Sequence, residues 1–592
     1  MKILITTSLN KKVCKGLNSF RMFSFKRLSK REVSLAKKLR IQRFYLPALY
    51  TEDSDKFLRE FDMFWDKVVY RYGPEHPFWR NVVSSKMQPW ENSIGYACLV
   101  LFALTRISDK EDAKLIVVCD SVEMKRVFVE WARINGWELI GQDVYNGDRG
   151  RTIYQRIINF GWFITRALSS LYKKWFSPNF IPENNSNDVP ILISSFFYPH
   201  SFKNGSYNDP FFGTLHYFIR DNGLKSVYLC EPLNEFNKTI ARNILQSKDV
   251  AVYITYSIIG WLEMISLLIK LYLRKIKIQQ IKFMGCEMSG LIQWQSRNFS
   301  NSFNLTAELR FAATRKLCKT YRFNRLIYGF EENVHERACL QAFRESNSGK
   351  VIAYSHGVLY PLNLKIRLTD KESLLKPEPD VHICTGPYAK ELLKKIGVRY
   401  SSSKLKDGCI IKDIPVIEKE KKRLRDDRKI LVALDGMDST VILLEWILEH
   451  TRALNNFNFY IRFHPNVPVR RILSQCINDF PDNVKISNMD IMQDIESSFC
   501  VFYRHSSVGM QAILNGVPAV YLAVDSPLSG DPLEALSTYK WTVSSLSELI
   551  SVIEEIKFLS QNQRDNLLGS AERFVREYFA APVESSLISF IN

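Results

Sequence analysis

A set of acidic, imidazole, cationic and hydroxyl residues stands directly after apolar, β-prone runs of this 592-residue chain. In chain order the set is Glu331, Glu332, His356, Gly357, Asp435, Gly436, His464, Pro465, Arg504, His505, Ser506 and Ser507. In open α/β sheets, ligands bind beyond the carboxyl ends of the strands. The placement of these residues therefore predicts a binding or catalytic site rather than side chains buried within a core.

Glu331 and Glu332 are the candidates for a general base. Burial and mutual repulsion can push the pKa values of two adjacent carboxylates apart, which leaves one of them suited to accept a proton. A helix N-terminus rich in acids has the same appearance, and the sequence does not choose between the two residues. Asp435-Gly436 is a further strand-end carboxylate that fits a simple turn equally well.

Residues 500–522 have the pattern of a strand, a sharp turn, a helix and a second strand. The turn holds a cation, an imidazole and two hydroxyls, and either Ser506 or Ser507 can cap the helix. Free N–H groups and the helix dipole favour a phosphate at such a turn, and His464 could donate to the same phosphate. An ordinary βαβ turn with a serine cap is the alternative.

The elements that must position these residues alternate between strands and helices. A helical region is predicted over 54–106 and a helix over 439–453, and strands are predicted at 115–119, 275–278, 325–330, 351–354, 381–384, 429–434, 459–463, 500–503 and 517–522. Alternating strands and helices of these lengths are typical of an α/β protein with parallel sheets.

Two apolar stretches could lie at a membrane surface. Residues 250–273 are predicted to be a buried or interfacial helix, because Glu263 and Lys270 would be costly inside a bilayer. Residues 150–176 interleave aromatic with basic side chains, which fits either an interfacial amphipathic helix or a buried helix between domains.

Composition separates one basic segment from the rest. The net charge is +19, but residues 1–48 contain 13 Lys/Arg and a single acid, Glu32. Such a segment attracts anionic lipid or nucleic acid, or is simply solvated. The 11 cysteines include no CxxC pair, which argues against a disulfide framework and a zinc ribbon and indicates a reducing compartment.

Three short motifs give the chain a family resemblance. The order Glu331-Glu332-Asn333, His464-Pro465 and Ser506-Ser507 resembles that of bacterial sialyltransferases and polysialyltransferases of the two-Rossmann (GT-B) type, which carry an acidic pair followed by Gly, then His-Pro, then Ser-Ser or Ser-Thr. Residues 354–357 and 507–518 are also similar to surface-carbohydrate (capsule, O-antigen) and Kdo-transferase-like proteins. The resemblance covers roughly residues 325–525, and Asn333 departs from it where Gly is usual.

The resemblance implies an α/β, GT-B-like fold with two Rossmann-type domains facing a cleft and extra N-terminal elements. The expected divisions are a basic segment at 1–50, an acceptor-side domain at 51–410 and a donor domain at 411–592. It also implies transfer of a 2-keto acid sugar from a CMP donor to a surface polysaccharide or lipid-linked glycan. No cofactor, metal or nucleic acid is expected. The expected location is the cytoplasm, or the inner face of its membrane through the basic segment.

The resemblance also assigns roles to the strand-end residues. A carboxylate of Glu331 or Glu332 would take the proton of the acceptor hydroxyl. His464 would contact the donor phosphate and assist the departure of CMP. Ser506 and Ser507 would bind that phosphate. The expected donor-binding set is completed by His356, Gly357, Asp435, Gly436, Pro465, Arg504 and His505.

Other functions fit the same residues. The fold could carry a CDP-polyol phosphotransferase or a nucleotide-sugar epimerase, or the chain could be a non-catalytic, membrane-associated scaffold of polysaccharide assembly. The sequence leaves the sugar, the acceptor and the stereochemical outcome open.

Overall fold

The strands of the described part of the chain form three parallel sheets and two short antiparallel pairs. The computed structural model describes residues 2–6, 21–24, 42–43, 54–86, 94–106, 113–119, 121–140, 148–178, 190–198, 201–203, 206–213, 215–232, 236, 238–245, 247, 249–346, 349–360, 363–397, 404–411, 426–436, 440–464, 469–474, 476, 479–524 and 530–592.

The strands are numbered along the chain. They are β1 Lys2–Thr6, β2 Arg21–Ser24, β3 Gln42–Arg43, β4 Lys114–Val118, β5 Glu138–Leu139, β6 Ile191–Phe197, β7 Phe202–Lys203, β8 Ser206–Tyr207, β9 Ser226–Pro232, β10 Ala251–Ile254, β11 Lys282–Phe283, β12 Cys286–Glu287, β13 Arg325–Gly329, β14 Lys350–Tyr354, β15 Val381–Cys384, β16 Leu405–Asp407, β17 Asp426–Ala433, β18 Asn458–Arg462, β19 Val484–Ile486, β20 Ser498–Tyr503, β21 Ala519–Leu522 and β22 Lys540–Val543.

Helices cover the sheets. The α-helices are Ser54–Val69, Ile94–Arg106, Val122–Ile134, Asp148–Phe176, Leu215–Asp221, Lys238–Leu245, Thr255–Ile258, Trp261–Leu273, Ser289–Ser296, Phe303–Thr320, Val334–Ser346, Asp370–Leu375, Pro387–Gly397, Thr440–His450, Val469–Leu473, Ile491–Glu496, Val508–Leu514, Leu546–Phe558, Gln561–Tyr578 and Glu584–Leu587, and short 3-10 helices lie at Pro77–Arg80, Val82–Ser85, Thr451–Leu454 and Ile588–Phe590. Within the described residues, none of the helices combines the length and the apolar character needed to cross a membrane.

Each of the three sheets has the strand order of a doubly wound fold. The orders are β3-β2-β1-β4-β5, β10-β9-β6-β13-β14-β15-β16 and β19-β18-β17-β20-β21-β22. In each sheet the first strand in sequence lies centrally, with its successors on one side and the later strands on the other. Ligands of such sheets bind where the order reverses, which is the topological switch point. The switch points lie between β1 and β4, β6 and β13, and β17 and β20.

The predicted α/β class with two Rossmann-type sheets is confirmed, and the structure adds a third such sheet at the N-terminus. Strands β2 and β3 of this sheet come from the basic segment, where Lys and Arg obscure the apolar runs that would predict a strand. Two other element assignments differ from the prediction. The window 250–273 holds not one helix but a strand followed by two helices, because Val252 and Ile254 favour a strand and Gly260 separates the helices. Residues 275–278 form no strand, and only Ile276 of their apolar residues is fully buried.

The C-terminal helices join the last sheet to the middle one. The hydroxyl of Tyr578 accepts from the backbone N–H of Leu359 at 2.6 Å, and the N–H of Ile410 donates to the carbonyl of Ala580 at 2.9 Å. One apolar core contains Tyr354 of the middle sheet, Tyr503 of the last sheet and Tyr578. The two sheets are therefore packed together through a shared core.

Gly386 provides a test of this junction. A Cβ at Gly386 would lie 2.4 Å from the carbonyl oxygen of Glu577, so we expect Gly386→Ala to destabilise the protein by about 1–3 kcal/mol. Gly569 lies in the same helix as Glu577, and a Cβ at Gly569 would meet no atom within 4 Å. Gly569→Ala should therefore stabilise by about 0.5–1 kcal/mol. Urea unfolding of both variants measures the difference, and equal effects would contradict the predicted close contact.

Candidate functional site

The predicted site residues lie at two of the switch points. Glu331 follows β13, next to β6 in the middle sheet, while Asp435 follows β17 and Arg504 follows β20 in the last sheet. The residues thus form two clusters, one at the carboxyl edge of each sheet.

Glu332 occupies a strained turn and is buried. Its φ is +61°, a left-handed conformation that is unusual for a residue other than glycine. Its Oε2 accepts from Arg337 Nε at 2.8 Å and from Lys376 Nζ at 2.6 Å, while Arg337 also donates to the Glu332 carbonyl at 2.9 Å. Burial opposes ionisation, but the two cations outweigh it and lower the pKa of Glu332 to about 2. This carboxylate holds the turn and is not accessible to a substrate.

The N-terminal part of the chain completes the network around Glu332. Arg337 donates to Ser84 Oγ at 2.6 Å, and buried Lys86 pairs with Glu372 Oε2 at 2.5 Å. Both Ser84 and Lys86 come from the turns that follow the first helix of the N-terminal part. The conformation of the strand-end turn thus depends on residues about 250 positions earlier in the chain.

Glu331 is the carboxylate that remains available. Its side chain is 45% exposed, with Oε1 3.1 Å from His356 Nε2 and Oε2 accepting from Asn333 Nδ2 at 2.8 Å. Burial opposes its ionisation, but the hydrogen bond and charge of His356 and the charge of Lys365 hold the pKa of Glu331 well below its usual range. The geometry therefore favours Glu331 over Glu332 as a group that meets a substrate.

A second carboxyl, Glu336, supports the same turn. It accepts from the backbone N–H of Glu331 at 2.9 Å and from Asn333 Nδ2 at 2.8 Å. Burial first, and then the charge of Glu331, raise the pKa of Glu336 to about 8. An ionised and a protonated carboxyl side by side are typical of sites that move protons. Neighbouring His335 is neutral, because burial and Arg310 lower its pKa to about 3.

These groups line a recess with about 300 Å³ of open space, its mouth included. The lining residues are Ser194, Ser195, Phe196, Phe211, Arg310, Gly329, Glu331, His335, Glu336 and His356. The ring of Phe211 lies 4.3 Å from that of His356, and Phe196 lies 4.8 Å from His335. His356 also packs on Gly329, where a Cβ would come within 3.0 Å of its Nδ1. Gly357 follows His356 in the chain. A Cβ at Gly357 would lie 4.0 Å from Glu331 Oε1.

Arg310 brings a buried charge into this recess. It is 1% exposed and donates to the carbonyl of Ser195 at 2.6 Å and to Thr255 Oγ1 at 3.2 Å, while its Nε has no partner. Within the described residues it forms no ion pair with a carboxylate. A buried cation bonded only to neutral oxygens is costly, so this position favours an anion entering the recess.

The second cluster is organised around Asp435. Its Oδ2 accepts from Arg504 Nε at 2.8 Å and lies 3.5 Å from His505 Nδ1. Burial opposes ionisation, but Arg504 and His505 lower the pKa of Asp435 to about 2. Both Asp435 and Arg504 are buried, so this pair orders the strand ends rather than offering free charges. His505 has φ +48° and packs against Gly530, where no Cβ would fit.

The remaining predicted residues lie at the same edge. His464 packs on Gly436, where a Cβ would lie 3.0 Å from the imidazole Nδ1. Ser507 stands before the helix Val508–Leu514 but makes no side-chain cap, while Ser506 Oγ accepts from the Val508 N–H at 3.3 Å. Pro465 lies outside the described residues. Within them, no group of three or more His, Cys, Asp or Glu is placed to hold a metal ion.

Several site residues carry no signal in the sequence. Arg310 lies in a long helix, and Ser194 and Ser195 lie within strand β6, with no motif around any of them. Only the fold brings these residues to the recess that Glu331 also lines. Glu336 lies five positions after Glu331, so the sequence shows that acidic residues cluster here. The role of Glu336 in supporting the turn does not follow from the sequence, because it depends on the shape of the turn. Ser84 and Lys86 would be found only from the tertiary contacts.

The fold and the two strand-end clusters define an α/β protein built on Rossmann-type sheets. No family model and no curated protein matches the chain. Similar solved structures include a glycosyltransferase from Streptomyces nogalater, with TM-score 0.40 and 11% identity over 68% of this chain and 99% of that one. Another is the UDP-GlcNAc 2-epimerase from Neisseria meningitidis bound to UDP-GlcNAc, with TM-score 0.37 and 12% identity over 68% and 98%.

Replacement of Glu336 should change the pH dependence of stability. The unfolded chain loses the Glu336 proton in the ordinary glutamate range, whereas the folded protein keeps it to about pH 8. The free energy of unfolding should therefore fall across this interval as pH rises, by up to about 1.4 kcal/mol per pH unit from this group. Glu336→Gln should flatten that slope. Urea unfolding from pH 5 to 8 measures it, exposed Glu577→Gln is the control, and identical slopes would refute the raised pKa.

Proposed function

We propose that this protein is a nucleotide-sugar-dependent glycosyltransferase that moves a 2-keto acid sugar from a CMP donor to a hydroxyl of a glycan or lipid-linked acceptor. One observation carries the proposal. The ionised, half-exposed carboxylate of Glu331 stands at a switch point and lines the same recess as the buried guanidinium of Arg310, which lacks an anionic partner in the described residues.

Glu331 is proposed as the general base because its carboxylate is ionised and faces the recess. The acceptor hydroxyl would attack the anomeric carbon as its proton passes to Glu331, and the bond from that carbon to the CMP phosphate would break. A carboxylate within hydrogen-bond reach of the attacking oxygen typically accelerates such a step by about 10²–10⁴. The contacts from His356 and Asn333 fix the direction of the carboxylate.

Arg310 supports the choice of sugar. A 2-keto acid sugar carries its carboxylate on the same carbon that bears the leaving phosphate, so this carboxylate comes close to the base. The buried guanidinium of Arg310, which lines the same recess as Glu331, would supply the counter-ion of this sugar carboxylate. An arginine also matches a carboxylate with two parallel hydrogen bonds, which adds geometric selectivity.

The cluster on the last sheet is proposed to hold the donor. His464, Ser506 and Ser507 would bind the phosphate of CMP, while the Asp435–Arg504 pair keeps the two strand ends together. Fixed donors aimed at a leaving phosphate stabilise the charge that develops on it. In this proposal the general base belongs to the middle sheet and the residues that bind the donor phosphate belong to the last sheet. Both groups of residues must therefore face the same bound donor.

Product analysis separates this proposal from the alternatives. The protein is incubated with CMP-sialic acid or CMP-Kdo and an oligosaccharide acceptor, and nucleotides and glycans are separated by chromatography. Acceptor-dependent release of CMP with an extended glycan supports the glycosyltransferase. Release of CMP from a CDP-polyol supports the phosphotransferase, and conversion of a nucleotide sugar without acceptor supports the epimerase. A folded protein inactive with all of them fits the scaffold.

Glu331→Gln should remove turnover and leave donor binding intact. The amide keeps the shape and the contact with Asn333 but cannot take a proton, so kcat should fall at least about 100-fold. The Kd for CMP, measured by calorimetry, should change less than about threefold, because the base does not touch the nucleotide. Exposed Glu391→Gln is the matched control. Turnover that survives in Glu331→Gln rules out this base.

His464→Ala should instead weaken donor binding. Loss of a hydrogen bond to an ionised phosphate should raise the Kd for CMP about 10-fold or more. His450→Ala, at a helix end where the ring stacks on Trp446, is the control. A CMP affinity equal in both variants would remove His464 from the donor site.

A further inference from the structure

The helix Asp148–Phe176 presents an apolar face to solvent. Its inward stripe is narrow and includes the buried residues Phe163, Ala167, Ser170 and Lys174. The exposed large apolar residues are Ile153, Tyr154, Ile157, Ile158, Phe160, Trp162, Ile164, Leu168, Tyr172 and Trp175. Trp175 is 74% exposed and Leu168 is 61% exposed. A helix of a soluble domain normally has the reverse polarity.

The helix Trp261–Leu273 extends this face. Its exposed apolar residues are Trp261, Leu262, Ile265, Ile269, Tyr272 and Leu273. Trp175 contacts Trp261 at a ring distance of 6.3 Å, and Phe160 contacts Tyr272 at 5.6 Å, so the two helices lie side by side and antiparallel. We call their joint outward face the two-helix platform. It holds 16 of the 25 large apolar side chains that are exposed in the described residues.

The surroundings of the two-helix platform are basic. Residues 148–176 contain six Lys/Arg and one acid, and residues 261–277 contain four Lys/Arg and one acid. Arg156 and Lys270 are exposed on the helices, and Lys275 and Lys277 are exposed just beyond. The acid of the second helix, Glu263, lies in its first turn, 3.8 Å from Lys316. The charge around the apolar face is thus complementary to an anionic surface.

We propose that the two-helix platform binds the headgroup–acyl boundary of an anionic lipid bilayer, with both helices lying in the membrane plane. Apolar side chains would enter the acyl region while Lys and Arg reach the headgroups. Six of the exposed residues are Trp or Tyr, namely Tyr154, Trp162, Tyr172, Trp175, Trp261 and Tyr272. These side chains are enriched at membrane interfaces because their rings have an apolar body and a polar end.

The two-helix platform also lies close to the recess. Lys173 Nζ is 3.9 Å from Glu231 and 5.3 Å from the centre of the Tyr256 ring. The neighbouring residue, Thr255, accepts from Arg310 at 3.2 Å. One end of the platform is therefore a few side chains from the recess, and a membrane-bound protein would hold the recess near the lipid surface.

Vesicle flotation tests the proposal with the full chain. The vesicles are phosphatidylcholine alone, or an equal mixture of phosphatidylcholine and phosphatidylglycerol. We expect binding to the mixed vesicles that weakens as salt is raised. A variant with Leu168→Ser, Trp175→Ser, Leu262→Ser and Leu273→Ser should bind at least about tenfold less, because burial of each large apolar side chain contributes substantially to partitioning.

The controls separate this surface from others. Leu374→Ser with Phe558→Ser removes two side chains that are 77% and 79% exposed elsewhere, and this variant should bind vesicles like the wild type. The basic segment at 1–48 is intact in all variants, so its contribution is constant. Circular dichroism melting should be unchanged, since the replaced residues are exposed. The proposal is overturned if the fourfold variant binds like the wild type, or if the wild type binds no vesicles. Sedimentation showing a wild-type dimer that the variant loses would assign the face to a second copy.

Discussion

The carboxylate of Glu332 is held between Arg337 and Lys376, and the shape of the recess depends on this contact. The two ion pairs keep a glutamate in a left-handed turn and out of solvent. With Glu332 turned inward, the preceding residue turns toward the mouth of the recess. Strain of about 1–3 kcal/mol in such a turn persists only where the surroundings determine it fully, and here two buried cations do so.

The charged residues of the two clusters have two different roles, because some are buried in ion pairs and others face the recess. Glu332 and Asp435 are buried and paired with arginine or lysine, so they order strand ends. Glu331 and Arg310 instead face the recess, where His356 contacts the carboxylate of Glu331. The middle and last sheets are packed together by a shared apolar core and by the returning C-terminal helices.

The sequence predicted the elements better than the site. Strands β13, β14, β15 and β20 follow from short apolar runs with polar residues after them, and those polar residues marked both edges. The choice between Glu331 and Glu332 did not follow, because it depends on Lys376, Arg337 and a backbone angle that local composition does not encode. Arg310 was missed because it lies in a long buried helix with no motif around it. The N-terminal sheet was missed because three of its strands lie in the basic segment, where Lys and Arg obscure the apolar runs of β2 and β3.

The contacts of Ser84 and Lys86 with the middle sheet have an evolutionary consequence. A shorter relative without the N-terminal sheet and the segment that carries Ser84 and Lys86 would leave Glu372 buried without its cation and Arg337 without one of its acceptors. Leaving a buried charge such as that of Glu372 unpaired costs about 3–5 kcal/mol. Loss of the N-terminal sheet in a lineage should therefore occur together with neutral replacements at these positions, so that the sheet and its charged contacts are inherited as a set.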